Sequence, residues 1–126
     1  MVRILDLEKY AKENNIPIMQ KDGIDFMCEY IKKNNIKNIL EVGAAIGYSA
    51  IRMASISNDI KVTTIERDEK RYKEAVKNIE SFNLEQQINI IFNDAFDVEL
   101  NEQYDLIFID AAKSQYIKFF EKFKKN

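Results

Sequence analysis

The run Ile39-Leu40-Glu41-Val42-Gly43-Ala44-Ala45-Ile46-Gly47-Tyr48-Ser49 constrains this chain more than any other stretch. It reads as a buried strand that enters a glycine-bearing turn and leaves it as a helix. Glycine at such a turn lets backbone N–H groups come close to a ligand. An acid, Glu41, stands before the glycines instead of well after them. A carboxylate there repels a pyrophosphate but suits a ligand with a cationic amino-acid end. The segment Gly43-Ala44-Ala45-Ile46-Gly47 also lacks the close first glycine pair of the dinucleotide fingerprint, which weakens a nicotinamide reading.

The same strand-then-helix rhythm continues along the chain. Apolar spacing predicts a short amphipathic helix over about 4–14 and an extended segment around Pro17. A second helix is expected over 23–34, capped by Asp22. Strands are expected at 36–42, 61–66, 88–92 and 104–110, with helices at 48–57, 68–82 and 114–124. Near-continuous apolar strands separated by helices mean a parallel sheet covered on both faces. Right-handed crossovers make it an α/β doubly wound sheet of order 3-2-1-4, preceded by two helices, in a single domain over 1–126. The fourth strand has the composition of a buried strand yet would lie at the sheet's edge. The expectation is therefore a fragment lacking its last strands, or a chain that pairs that edge with a partner such as a second copy.

Composition removes whole classes of chemistry. There is no histidine, so histidine triads, Cys-His dyads and histidine metal sites are all excluded. The single cysteine, Cys28, allows no internal disulfide or cysteine cluster and is expected as core filler on a helix. Any metal must then be held by oxygen, which favours Mg²⁺ or Ca²⁺. The net charge of -2 advertises no global basic field, although a local basic face around Lys113, Lys118, Lys122, Lys124 and Lys125 stays open as a phosphate contact or a solvated surface. No apolar run reaches membrane-spanning length and no signal peptide is recognisable, so a cytoplasmic location is expected.

Open parallel sheets bind ligands at the carboxyl ends of their strands, near the switch point. All four predicted strands end in or beside an acid there: Glu41, Glu66, Asp94 and Asp110. Glu66 lies where a carboxylate would accept hydrogen bonds from a ribose diol. Asp94-Ala95 stands where adenine's amine would be read, or is simply a turn. Glu41 would bond the amino group of a methionine moiety or support the glycine turn. These placements favour S-adenosylmethionine as the ligand. Asp110 emerges from an apolar strand, where an unpartnered charge is costly and a metal or substrate cation would justify it. Lys113 is close enough in sequence to act on an acidic hydroxyl, as a base or a fixed charge, and otherwise is a surface lysine. Tyr48, Phe96 and Tyr116 are candidates for stacking, with core packing as the alternative.

At these residues the chain resembles class I S-adenosylmethionine-dependent O-methyltransferases of the caffeoyl-CoA and catechol type, with a Rossmann-like sheet. The matching blocks are Leu40-Glu41-Val42-Gly43 through Gly47-Tyr48-Ser49-Ala50, Thr64-Ile65-Glu66, Asn93-Asp94-Ala95, and Phe108-Ile109-Asp110-Ala111-Ala112-Lys113 with Tyr116. The segment Ile16-Pro17-Ile18-Met19 with Gly23-Ile24-Asp25-Phe26 looks most like bacterial tRNA 5-hydroxyuridine methyltransferases. The resemblance implies cofactor contacts from Met19, Ser49, Glu66, Asp94, Ala95 and Asp110, beside Glu41, Gly43 and Gly47, which the glycine turn itself singles out. It also implies Asp110 as a Mg²⁺ ligand, Lys113 as the lysine that helps deprotonate the acceptor, and either tRNA or a small hydroxylated aromatic as substrate. The family's two further metal ligands, an adjacent Asp-Asn pair, find no match after Asp110.

Overall fold

The computed structural model describes residues 3–16, 21–93, 104–111 and 116–121. In chain order these form α1 (Ile4–Glu13), α2 (Lys21–Lys33), β1 (Asn38–Val42), α3 (Tyr48–Ala54), β2 (Lys61–Glu66), α4 (Glu69–Ser81), β3 (Ile88–Phe92), β4 (Leu106–Ala111) and β5 (Tyr116–Glu121). The sheet order is β3-β2-β1-β4-β5. The first four strands are mutually parallel in the anticipated 3-2-1-4 order. No described helix is long and apolar enough to cross a membrane.

Local chemistry accounts for the helix boundaries. Asp68 caps α4 by accepting a hydrogen bond from the Arg71 backbone N–H at 3.1 Å. Helices α1, α2 and α4 stop in the same way: Asn15, Asn35 and Asn83 have φ of 55°, 55° and 58°. In each, the next residue's N–H reaches back to the last full turn: Ile16 to Ala11 O, Ile36 to Ile31 O, and Leu84 to Ile79 O. These are Schellman closures with asparagine in the left-handed position, followed by an apolar residue that packs inward. Asp22 falls inside the first turn of α2 rather than at its cap.

The principal core gathers one residue face from four strands (Ile39, Val62, Ile88, Leu106) together with residues of all four helices. Ile39 pairs with both Val62 and Leu106 across the sheet, so these side chains share a face. The opposite face carries a smaller cluster of Leu40, Ile65 and Tyr104, with Ile91 and Ile107 against it. Cys28 is buried in the main core, as its type suggests. Each fully buried Ile or Leu contributes roughly 1.5–3 kcal/mol, which is what holds short strands in register.

One expected element differs. The segment predicted as a helix over 114–124 instead contains β5, antiparallel to β4 with Ile109 opposite Lys118. The residues Tyr116-Ile117-Lys118-Phe119-Phe120-Glu121 are aromatic and β-branched enough for a strand. An edge of unpaired N–H and C=O groups on β4 rewards pairing over helix formation. The edge of β4 is thus paired from within the chain rather than by a partner. β4 also begins two residues later than expected, because Asp105 turns its carboxylate onto the N–H groups of Lys37 (2.9 Å) and Asn38 (3.1 Å), fastening the start of β1.

Candidate functional site

Strand register assembles the site. Val42 pairs with Ile65 and Ile109, and Ile65 pairs with Ile91. The next position along each strand is therefore Gly43, Glu66, Phe92 and Asp110, four residues level with one another at the carboxyl rim. Gly43 has φ 98° and donates its N–H to Ile65 O at 2.8 Å, which turns the chain off the end of β1. Gly47 has φ 88° and donates to Ala44 O at 2.8 Å, closing the turn at the start of α3. Both conformations favour glycine. Ala45 between them also sits at positive φ, 50°.

Two carboxylates hold this turn. Glu66, 9% exposed, accepts from the Ala45 N–H at 2.9 Å with one oxygen and from the Asp68 N–H at 3.0 Å with the other. It thereby locks the turn to the end of β2 and the start of α4. A carboxylate offers about four lone-pair positions, so two donors leave acceptor capacity at the rim. Glu41 has no solvent exposure; one oxygen accepts from Thr64 Oγ1 at 2.7 Å and the other from Ser49 Oγ. Burying a charge demands such donors. Its support of the turn therefore runs through Ser49, on the first turn of α3. A third tie comes from Asn78 of α4, whose amide donates to Ile46 O at 2.8 Å.

Of the anticipated site residues, Glu41, Gly43, Gly47, Ser49 and Glu66 are brought together, and the backbone of Asp110 is placed on the same rim. Met19, Asp94, Ala95, Phe96 and Lys113 lie outside the described residues. Tyr48, anticipated as a stacking candidate, is a packing residue: it is 2% exposed, and its hydroxyl donates to Glu8 at 2.5 Å and accepts from Arg52 at 3.0 Å. Burial first, then the bond to Glu8, pushes its hydroxyl up to about 12. Thr64 and Asn78 were not anticipated. Thr64 gives a signal only once β1 and β2 are aligned, because it is the register partner of Glu41; Asn78 gives none beyond being polar on an amphipathic helix. Phe92, 49% exposed, meets Tyr72 with ring centroids 5.1 Å apart and forms an aromatic flank at the rim.

The opposite end of the sheet holds a groove of ≈ 420 Å³ lined by Asn38, Lys61, Glu85, Gln86 and Asn89 among others. It contains none of the anticipated site residues and faces away from the switch point. Among the described residues no three acidic or cysteine side chains converge as a metal site would require.

Comparison with known proteins shows which family and fold the chain is similar to. The O-methyltransferase family pattern matches residues 2–125. A candidate caffeoyl-CoA O-methyltransferase from Staphylococcus aureus superposes with a TM-score of 0.83 at 44% identity, covering 90% of this chain and 56% of that one. An O-methyltransferase from Bacillus cereus in complex with SAH superposes with a TM-score of 0.76 at 30% identity, covering 86% of this chain and 53% of that one. In sequence, a caffeoyl-CoA O-methyltransferase of Populus kitakamiensis is 31% identical over 94% of this chain and 53% of its own length. A catechol O-methyltransferase of Niastella koreensis is 39% identical over 68% of this chain and 42% of its own length. The chain spans about half the length of the curated relatives it matches.

Proposed function

Because the chain belongs to the O-methyltransferase family, we propose that its rim binds S-adenosylmethionine and serves methyl transfer to an acidic enol or phenol-like hydroxyl. The observation that carries this reading is the pair of carboxylates, Glu41 and Glu66, fastened into the Gly43–Ser49 turn at the carboxyl ends of adjacent strands. On this reading Glu66 uses its remaining lone pairs for the ribose diol, and Ser49 and the Gly43–Gly47 backbone hold the amino-acid end. The positions assigned to Met19, Asp94 and Ala95 complete the cofactor contacts. The relative from Bacillus cereus, whose structure contains SAH, supports the choice of ligand.

The reaction is an in-line displacement. The acceptor's O–H proton passes to a neutral Lys113, the oxygen's electron pair forms a bond to the methyl carbon, and the carbon–sulfur bond breaks onto sulfur to leave S-adenosylhomocysteine. Positioning supplies most of the acceleration, since holding the two reacting atoms in line replaces a bimolecular encounter. We assign Asp110 to Mg²⁺, which would polarise the acceptor oxygen when bound. The described residues do not by themselves make a magnesium site, because no three acidic side chains converge among them.

For the acceptor, the leading candidate is 5-hydroxyuridine in tRNA, converted to 5-methoxyuridine, which rests on the likeness of residues 16–26. The alternative is a small catechol or related phenol, which the names of the Niastella koreensis and Populus kitakamiensis relatives support. A cytoplasmic location suits either one. Isothermal titration with S-adenosylhomocysteine tests the core of the proposal: saturable heat at one site per chain is expected, and a folded sample giving no heat refutes it. Parallel assays on tRNA carrying 5-hydroxyuridine and on catechol then separate the acceptors.

A further inference from the structure

A polar relay crosses three helices beside the turn. Glu8 of α1 accepts from the Tyr48 hydroxyl at 2.5 Å, Arg52 donates to that same hydroxyl at 3.0 Å, and Arg52's other terminal nitrogen donates to Asp25 of α2 at 2.6 Å. Tyr48 and Arg52 are one turn apart on α3, and the guanidinium carbon lies 5.9 Å from the tyrosine ring centre. Tyr48 is buried and Arg52 is largely so, with 20% of its side chain exposed. Charged partners on a buried hydroxyl make strong and directional bonds.

The place of this relay in the chain gives it meaning. Tyr48 stands between Gly47, whose positive φ closes the turn, and Ser49, whose hydroxyl is bound by Glu41. A shift of the Tyr48 side chain therefore moves the first turn of α3 and the turn before it. We propose that Glu8, Tyr48, Arg52 and Asp25 are positioning residues: they couple the docking of α1 and α2 to the shape of the Gly43–Ser49 turn, and so set cofactor affinity without touching the cofactor. Nothing in the proposed reaction uses these four side chains otherwise. The inference rests on the cofactor reading above for its effect on affinity, but its effect on the turn can be read without any ligand.

Two measurements test it on Tyr48→Phe, Glu8→Gln and the double variant. The first is titration with S-adenosylhomocysteine at a temperature where circular dichroism shows every variant folded. Tyr48→Phe removes both bonds of the hydroxyl and is expected to weaken binding roughly 10-fold; Glu8→Gln takes the charge off one of them and is expected to weaken it less, and the double change no more than Tyr48→Phe alone, since the hydroxyl on which Glu8 acts is then gone. Unchanged affinity, or additive losses, overturns the coupling to the site. The second is native-state amide exchange on the unliganded protein. Faster exchange confined to residues 43–49 and the first turn of α3 is expected for Tyr48→Phe; acceleration spread evenly over the sheet, or none, overturns the proposal. Should the wild type give no heat with S-adenosylhomocysteine, the cofactor reading falls and the exchange result alone decides the relay. Asp25→Asn loosens the outer end of the same relay and is expected to give a smaller, similarly placed change; it serves if Tyr48→Phe does not fold.

Discussion

A carboxylate with no solvent contact depends on its donors, and Glu41 has the hydroxyls of Thr64 and Ser49 among them. Thr64→Val keeps the shape of the strand and removes one donor, leaving a buried charge less well satisfied. The expected cost is about 1–3 kcal/mol, read as a lower urea midpoint at unchanged slope; a shift worth less than about half a kcal/mol would contradict the arrangement. Gly47 presents a different case. A methyl group there would meet Ala75 at 3.5 Å, an ordinary contact, so space is not the obstacle. The φ of 88° is, and Gly47→Ala is expected to destabilise by roughly 1–2 kcal/mol. Tyr48 adds a pH signature. Its hydroxyl is raised in the fold from 10.0 to about 12, so the protonated form is the one the fold favours. The stability it contributes is fully present below pH 10 and is lost as pH rises towards 12. Urea midpoints for wild type and Tyr48→Phe should therefore differ by a constant amount below pH 10 and converge above it. A constant difference throughout would mean the hydroxyl is not held as described.

At the scale of elements, three of the four helices among the described residues end on asparagine in the left-handed conformation, and the consequence is measurable. Asn35→Ala should cost about 1 kcal/mol, because alanine lacks asparagine's tolerance of positive φ, whereas Asn35→Gly should be neutral or slightly stabilising. Thermal melts of the two variants check the order. These stops were legible in advance where Asn14-Asn15 follows an amphipathic run. So were the parallel strands, because a stretch such as Lys61-Val62-Thr63-Thr64-Ile65-Glu66 carries its β-preference and its boundary together. The acids Glu41 and Glu66 could be placed at the rim because they end such strands. What they bond to could not be read. The Ala45 N–H and the Thr64 hydroxyl become partners only through the fold of the turn and the alignment of β1 with β2. The segment over 114–124 misled for the same kind of reason. Ile117, Phe120 and Phe123 have helical spacing, while Tyr116 to Glu121 also suits a strand. The local pattern is balanced, and the open edge of β4, a non-local fact, decides it.

For the whole molecule, that edge is the point on which solubility turns. β4 lies between β1 and β5, and its sequence Leu106-Ile107-Phe108-Ile109 is wholly apolar. A long apolar strand with an uncovered edge is a template for pairing with another chain, so β5 works as an internal guard. Phe119 faces Phe108 in the register, in the middle of the six paired positions. Proline at 119 cannot donate a ladder hydrogen bond and fixes its own φ, so Phe119→Pro should unzip β5 while leaving the core of α1–α4 and the four parallel strands in place. The expected result is self-association: sedimentation velocity should show dimers or larger species that grow with concentration. Far-ultraviolet circular dichroism should keep its helical signal. Binding of S-adenosylhomocysteine separates the two ends of the molecule further. The contacts proposed for it, with Glu66 and the Gly43–Ser49 turn, involve strands that the variant leaves paired, so the affinity change should be small beside the change in association state. A Phe119→Pro protein that stays monomeric across the concentration range would show that β5 does not guard the β4 edge. A variant that loses its helices would instead show that β5 is part of what makes the core fold at all.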